Sequence, residues 1–226
     1  MTKKKIIAII PARGNSNRLK NKNLKKFNGH PLIHWTIVSA LKSKFINSVL
    51  VSSDSKKILD YCSKYKSVVL SKRPKKFSLK NSKIEDAIIN EIKRGSLSKF
   101  DYFILLQPTS PLRTLKTIND SIKLTLKKKA STCVSFYKIK NNFLNIFEIK
   151  NIKILEVERN LSTSSKSKFF IPSGDIYISS IKKFVKNKSF INKNTIPYLI
   201  KNKYSDIDYL HEFKLAEKIQ KSKIFS

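Results

Sequence analysis

Hydrophobic positions follow two alternating rhythms along most of the chain. Residues 5–10 (Lys-Ile-Ile-Ala-Ile-Ile) form a short β-branched run, as expected of a strand buried on both faces, and it stops at Pro11. From Pro31 the period changes. Leu32, Ile33, Trp35, Ile37, Val38 and Leu41 recur at helical spacing, and proline suits a first helical turn. The exchange of periods then repeats. Strands are predicted at 48–52, 67–71, 101–106 and 131–136, and helices around 58–61, over 84–92 and over 115–126. Asp54 or Ser55 is placed to cap the helix around 58–61, and Thr114 the helix over 115–126.

This alternation predicts an α/β fold, a mainly parallel sheet with helices on both faces, in a single domain spanning 1–226. The rhythm breaks over about 138–172. That stretch is rich in Lys and Asn, carries strand-like pieces at 143–149 and 152–157, and reads as an inserted β-rich arm. The strand pattern returns at 175–178 and 195–200, and a helix over 209–219 follows.

Composition narrows the classes. With 40% apolar residues in 226, the chain can bury its own core and is no disordered polycation. Only 4 Gly and 7 Pro exclude collagen-like and linker-like chains. Cys62 and Cys133 lie far apart without metal-ligand spacing, which argues against a disulfide framework or a zinc cluster and for a reducing, cytoplasmic setting. The longest apolar run, residues 6–12, is too short to span a bilayer, and no signal peptide follows Lys3 to Lys5, so no membrane partner is expected.

The net charge of +33 invites a nucleic-acid reading. The kind of cation weakens it. Only 6 of the 48 basic residues are Arg, the residue whose planar fork reads bases and grips phosphates, and the lysines are spread along the whole chain. A bias toward Lys, Asn and Ile with a solvated basic surface is the favoured reading over a polyanion-binding face, and no nucleic-acid partner is expected. The bias makes the scarce Arg, Gly and acids informative.

In an open α/β sheet, ligands sit beyond the carboxyl ends of the strands. Four unusual segments fall there. The first, Pro11-Ala-Arg-Gly-Asn-Ser-Asn-Arg-Leu-Lys-Asn-Lys-Asn23, gathers Arg13, Arg18, Lys20 and Lys22 with Gly14, Ser16 and Asn23, a donor set suited to a polyphosphate. It is neither a Walker A loop nor Gly-x-Gly-x-x-Gly, and a basic solvated turn is its plain alternative. The second, Gln107-Pro-Thr-Ser-Pro-Leu-Arg-Thr114, uses two prolines to present Gln107, Thr109, Ser110 and Arg113, or is simply a stiffened turn. The third, Ser71-Lys-Arg-Pro74, brings Arg73 to the same edge; a surface arginine before a turn is the alternative. The fourth, Tyr204-Ser-Asp-Ile-Asp-Tyr209, puts the carboxylates of Asp206 and Asp208 on one side of an extended segment. Two hard oxygen ligands suit Mg²⁺ beside phosphates, while a capping role for Asp208 is the alternative. His30, His34 and His211 do not form a metal triad with these loops. The absence of a Ser-His-Asp pattern or reactive-Cys context excludes covalent hydrolases.

In this order and spacing, the segments resemble the acylneuraminate cytidylyltransferase family, the CMP-sialic acid (CMP-nonulosonate) synthetases, with CMP-Kdo synthetases more distant. The opening Ile-Ile-Pro-Ala-Arg-Gly-Asn-Ser-Asn-Arg-Leu-Lys-Asn-Lys-Asn-Leu carries the likeness, with Gly29-His-Pro-Leu-Ile33, Val51-Ser-Ser-Asp54, Arg73-Pro74, 107–114, Ser173-Gly-Asp-Ile-Tyr-Ile178 and Ser205-Asp-Ile-Asp208. The resemblance implies a Rossmann-like sheet with a protruding arm that makes a homodimer. It also implies transfer of CMP from CTP to the anomeric hydroxyl of a nonulosonic sugar acid, with pyrophosphate leaving. By motif position, Arg13, Ser16, Lys22 and Asn23 resemble the triphosphate-binding residues, Arg73 the residue that reads cytosine, and Gln107 the one near ribose and sugar. Asp206 and Asp208 resemble the Mg²⁺ ligands. Arg13, Lys22 and Asp208 would carry the catalysis, and Ser173 would lie among the substrate-binding positions.

Three segments depart from the family pattern. Asn145 stands where a Lys is frequent, Ile171-Pro-Ser-Gly-Asp175 replaces Arg-Pro-Asn-Gly-Ala, and Ser78-Leu-Lys-Asn81 loses an Asp at about Lys80. Lys138, Lys140, Lys166 and Lys168 are the nearby cations. The other readings are a related enzyme using another sugar acid such as Kdo, or a diverged nucleotide- or polyanion-binding homologue.

Overall fold

The computed structural model describes residues 4–16, 18–138, 147–150, 153–156, 169–201 and 206–224. The first predicted strand is β1 (Ile6–Pro11), and every residue from Ile6 to Ile10 is buried. Its residues alternate between two cores. Ile6, Ala8 and Ile10 join one cluster, and Ile7 and Ile9 the other, as the two-residue period of a strand requires. A hairpin of β2 (Lys26–Phe27) and β3 (His30–Pro31) follows, turned at Asn28 and Gly29, both with positive φ. The run from Leu32 forms α1 (Leu32–Leu41). Next come β4 (Ser48–Ser53), α2 (Lys56–Cys62), β5 (Val68–Lys72), α3 (Ile84–Lys93), β6 (Tyr102–Leu105), α4 (Leu115–Lys127) and β7 (Thr132–Lys138), matching the predicted alternation.

Within the predicted arm, the described residues hold β8 (Phe147–Lys150) and β9 (Lys153–Glu156), which pair antiparallel. The pieces 143–146, 152 and 157, and Asn145, Lys140, Lys166 and Lys168, lie outside the described residues. Strand β10 (Phe169–Ser180) is 12 residues long, so the strand predicted at 175–178 is only part of a longer one. Helix α5 (Ile181–Asn187) was not expected from the sequence, whereas β11 (Thr195–Ile200) and α6 (Leu210–Ile224) were.

The sheet runs β11-β7-β10-β6-β1-β4-β5. All neighbours are parallel except β10, which lies antiparallel between β6 and β7. Helices α1, α2 and α4 bury Ile33, Ile37, Ile58, Cys62, Ile118 and Ile122 against one face. Ile88 of α3 and Phe184 of α5 cover the other. The expected Rossmann-like α/β fold is therefore present.

A third, smaller cluster bears directly on function. Leu19, Phe27, Leu32, Ile207, Phe213 and Ala216 pack the first loop, the hairpin and α6 into one unit, with Phe27 and Phe213 edge to face. Full burial of Ile207 contributes about 1.5–3 kcal/mol and anchors the acid-bearing segment on either side of it. Asn28 adds a backbone N–H to Glu217.

The caps divide. Thr114 accepts from Thr117 N, as expected. Ser55 occupies the N-cap position of α2 but makes no side-chain capping bond, and the Asp54 carboxylate is spent on Gly14 N at 2.9 Å.

Candidate active site

The carboxyl ends of β1, β5 and β6 open on a cavity of about 270 Å³. Arg13, Ser16, Lys22, Asn23, Arg73, Gln107, Asp206 and Asp208 all line it. Eight of the nine substrate and metal residues expected from the sequence thus meet in one place. The ninth, Ser173, does not. It is 3% exposed, its hydroxyl lies 2.6 Å from that of Ser135, and it accepts from Asp175 N.

The first loop is held from three sides. Gly14 approaches so closely that an added Cβ would lie 2.6 Å from Ser55 Cβ, a contact only glycine permits. Asn23, in a 3-10 turn, donates to the Arg13 carbonyl at 2.9 Å and closes the loop on itself. Lys22 is 9% exposed, and its ammonium donates to the Ile207 carbonyl at 2.7 Å and to Asp208 Oδ1 at 2.9 Å. Arg18 takes the other oxygen of Asp208 and sits 5.5 Å from the Tyr209 ring. The alternative capping role for Asp208 is not what the structure shows. Glu212 instead reaches back to the N–H groups of Asp208 and Tyr209.

Asp206 adopts φ 116°, a backbone region that side chains other than glycine rarely occupy. Such strain concentrates at functional sites. A bulge in β10 between Pro172 and Tyr177, with Gly174 at φ 83°, brings the Gly174 backbone beside the Asp206 carboxyl group. Burial, with the charge of Asp208 added, raises the Asp206 carboxyl above its ordinary pKa, against the opposing hydrogen bond from Thr109 and the charge of Lys22. Two carboxylates that resist sharing negative charge form a site that favours a cation.

Arg73 is 5% exposed. Its Nε donates to Ser52 Oγ at 3.2 Å, and an Nη2 proton goes to the Ser52 carbonyl. Burial pulls its guanidinium below the ordinary range, while Asp54 and Glu91 oppose that shift. The loop after Arg73 supplies Phe77, Ser78, Leu79 and Ser82 to the cavity wall, and the start of α3 adds Ile84, but Lys80 does not line it.

The proline-stiffened loop differs from expectation. Gln107 and Thr109 line the cavity, whereas Ser110 and Arg113 turn inward, 1% and 6% exposed. Arg113 donates to the Gln107 carbonyl at 2.6 Å and fixes the loop from behind. Burial pushes its pKa down to about 10, opposed by Asp175.

Glu91 is the residue the sequence reading missed. It is 1% exposed and accepts from Ser52 Oγ at 2.9 Å and from Ser71 Oγ at 2.8 Å. Its signal was available: Ile84, Ala87, Ile88 and Glu91 share one face of α3, so an acid falls on the apolar stripe. Among the described residues, no three His, Cys, Asp or Glu side chains gather as a metal cluster. No helix there is long and apolar enough to cross a membrane.

The site is the carboxyl-end crevice of a doubly wound α/β protein, furnished with cations for an anionic ligand and an acid pair opposite them. A family model described as Cytidylyltransferase matches residues 7–221, and the chain belongs to that family. It is 32% identical over 222 residues to the CMP-N,N'-diacetyllegionaminic acid synthase of Legionella pneumophila, covering 95% of this chain and 96% of that one. It is 28% identical to the N-acylneuraminate cytidylyltransferase of Escherichia coli O18:K1:H7, covering 97% of this chain but spanning about half (53%) of that relative. The pseudaminic acid cytidylyltransferase of Campylobacter jejuni serotype O:23/36 is 25% identical, with 96% and 97% covered. In fold, a CMP:2-keto-3-deoxy-manno-octonic acid synthetase complexed with CTP superposes at a TM-score of 0.78 and 14% identity, over 97% of this chain and 99% of that one. The family resemblance read from the loops is borne out.

Proposed function

We propose that the protein transfers CMP from CTP to the anomeric hydroxyl of a nonulosonic sugar acid. The new bond joins the anomeric oxygen to the α-phosphorus. The bond from that phosphorus to the leaving pyrophosphate breaks, and the hydroxyl proton is lost. The carrying observation is the single cavity that holds Arg13, Lys22, Arg73, Gln107, Asp206 and Asp208 together. The relatives named for legionaminic, N-acylneuraminic and pseudaminic acids support this substrate class.

Each group has a role that its geometry suits. Arg13, Ser16, Lys22 and Asn23 would receive the triphosphate, where preset N–H and N⁺–H donors stabilise charge developing on the leaving pyrophosphate. Arg73 would meet the base and Gln107 the ribose and sugar. No covalent enzyme intermediate is needed, so rate enhancement comes from positioning and charge neutralisation. The acid pair fits Mg²⁺: Asp206 carries a raised pKa beside Asp208, and Asp208 is already held by two cations in the free protein. Asp206 and Asp208 would hold the ion, which when bound neutralises phosphate charge and polarises the reacting centre.

On the sugar side, Ile171 pairs with Tyr137 across β10 and β7 and cannot supply the cation its family counterpart offers. A homodimer, with the segment around 138–172 as its interface, and a cytoplasmic location belong to the same proposal. Sedimentation would test the dimer.

The deciding experiment measures pyrophosphate release from CTP and Mg²⁺ with N-acetylneuraminate, legionaminate, pseudaminate and Kdo in parallel. Release with a nine-carbon acid is the expected result. Release with Kdo alone would move the substrate class, and a folded protein silent with all four would refute the proposal.

A further inference from the structure

Glu91 is a buried acid with no place in the reaction as described, yet it connects to a residue that has one. It sits on α3, behind the sheet, and accepts hydroxyl protons from Ser52 on β4, Ser71 on β5 and Ser96. A serine hydroxyl has one proton to give. Because Ser52 spends that proton on Glu91, its oxygen faces Arg73 as an acceptor and takes the Nε proton at 3.2 Å. The Ser52 carbonyl takes an Nη2 proton of the same guanidinium. The side edge of the fork, Nε and Nη2, is therefore committed to one residue, and its end edge, Nη1 and Nη2, is what Arg73 has left for the cavity it lines. Arg73 is held in this roll by an acceptor whose polarity is set by a buried anion.

The roll matters because the end edge offers two parallel N–H donors. Cytosine presents two adjacent acceptors, O2 and N3, whereas uracil presents O2 beside an N3–H donor. A fork fixed in register takes both cytosine acceptors and meets a clash at uracil N3. A fork free to roll keeps one bond to O2, which both bases share, and loses the distinction. We propose that Glu91, acting through Ser52, is a positioning residue for base selection: the acid behind the sheet fixes the guanidinium that tells cytosine from uracil. This rests on the reading of Arg73 as the base-facing residue.

The test compares wild type with Glu91→Gln, Ser52→Ala, Ser71→Ala and Arg73→Gln. Kd for CTP and UTP is measured by calorimetry, with kcat and KM for both nucleotides and melting temperature as a check on folding. Glu91→Gln keeps the size of the side chain but removes the charge that orients the Ser52 hydroxyl. The expected result is a CTP-over-UTP preference reduced about 10-fold or more in Glu91→Gln and Ser52→Ala, an order that loss of one bidentate pair accounts for. The loss should appear in KM and Kd for CTP more than in kcat. Ser71→Ala touches Glu91 but not Arg73 and should keep the preference. A folded Glu91→Gln with wild-type preference overturns the inference. So does a loss in Glu91→Gln that Ser52→Ala does not share, since the link through Ser52 would then be absent. If Glu91→Gln does not fold, Ser52→Ala decides alone. If Arg73→Gln keeps the preference, the base-facing reading itself is wrong, whereas its loss there alongside an unchanged Glu91→Gln removes only the positioning role.

Discussion

Lys22 is the point where the first loop of the cavity is tied to its acidic side, and replacing it measures that tie. Lys22→Met keeps an unbranched apolar stem of similar length and removes only the ammonium. Two bonds vanish, to the Ile207 carbonyl at 2.7 Å and to Asp208 at 2.9 Å. The lysine side chain is 11% exposed, so the carbonyl it leaves is poorly placed to recover water. A buried acceptor left unsatisfied costs about 1–3 kcal/mol. The Asp208 side chain is 30% exposed and keeps Arg18, so the second loss is partly screened and adds less. The desolvation cost removed with the ammonium offsets part of the total. A net loss of about 2–3 kcal/mol is expected, and for a domain of this size that lowers Tm by about 5–10 °C. Thermal unfolding of the ligand-free protein, followed by circular dichroism, reads it directly. Asp208→Asn and the double variant complete a cycle whose coupling should exceed about 0.5 kcal/mol. A Tm within a degree of wild type, or strictly additive effects, would refute the tie and leave Lys22 as a ligand-binding residue only.

Other outcomes follow from the same geometry. Gly14→Ala forces a 2.6 Å contact with Ser55, and overpacking of about 1–3 kcal/mol should appear as a lower Tm and a KM for CTP raised about 10-fold. Ser55→Gly in the same chain should restore both, and failure to restore them would locate the strain elsewhere. Asp206→Asn should raise Tm at neutral pH while activity is lost. The folded protein raises the Asp206 pKa, so its charged form costs stability above that pKa and nothing below the ordinary value of 3.8. The gain should therefore shrink as pH falls through that window in a melting series, and a pH-independent gain would contradict the burial argument. Burial pushes the Cys62 and Cys133 thiols up to about 12. Neither should react with a disulfide reagent in the native protein, while two equivalents should react after unfolding.

The strands and helices of the nucleotide-facing half were legible because buried parallel strands leave continuous β-branched runs, as in residues 6–10. Their carboxyl ends mark the place of the site. The hairpin at Asn28 and Gly29 had its signal too, a positive-φ pair of the type that turns two-residue loops, but its strands are two residues each and carry no readable period. Helix α5 hides for a related reason. It follows β10 without a break, and its first residue, Ile181, continues the strand's apolar pattern. Arg113 and Ser110 were placed outside because a proline-flanked polar loop reads as solvated. Side-chain direction within such a loop depends on the carbonyl that Arg113 finds at Gln107, six residues back in the same loop, which no periodicity announces. Glu91 was missed because an acid on an apolar face has no local partner; its hydroxyls come from two strands and a turn 39, 20 and 5 residues away.

The net charge of +33 turns out to say little about this site, because the cations that matter are already answered there. Lys22 and Arg18 hold Asp208, and Arg73 lies under the opposing charges of Asp54 and Glu91. A ligand entering such a site exchanges partners; it does not simply fall into a positive field. On the proposed reading, phosphate oxygens that capture Lys22 would take it from Asp208, and that carboxylate, left with Arg18 next to the already reluctant Asp206, would then favour further positive charge. An anion without an accompanying cation would strand two carboxylates, whereas a nucleoside triphosphate with its counter-ion satisfies both sides. Such an exchange would separate a triphosphate from the other polyanions that a basic surface attracts, and it would depend on the pairing of a few side chains, not on the lysines spread over the rest of the chain.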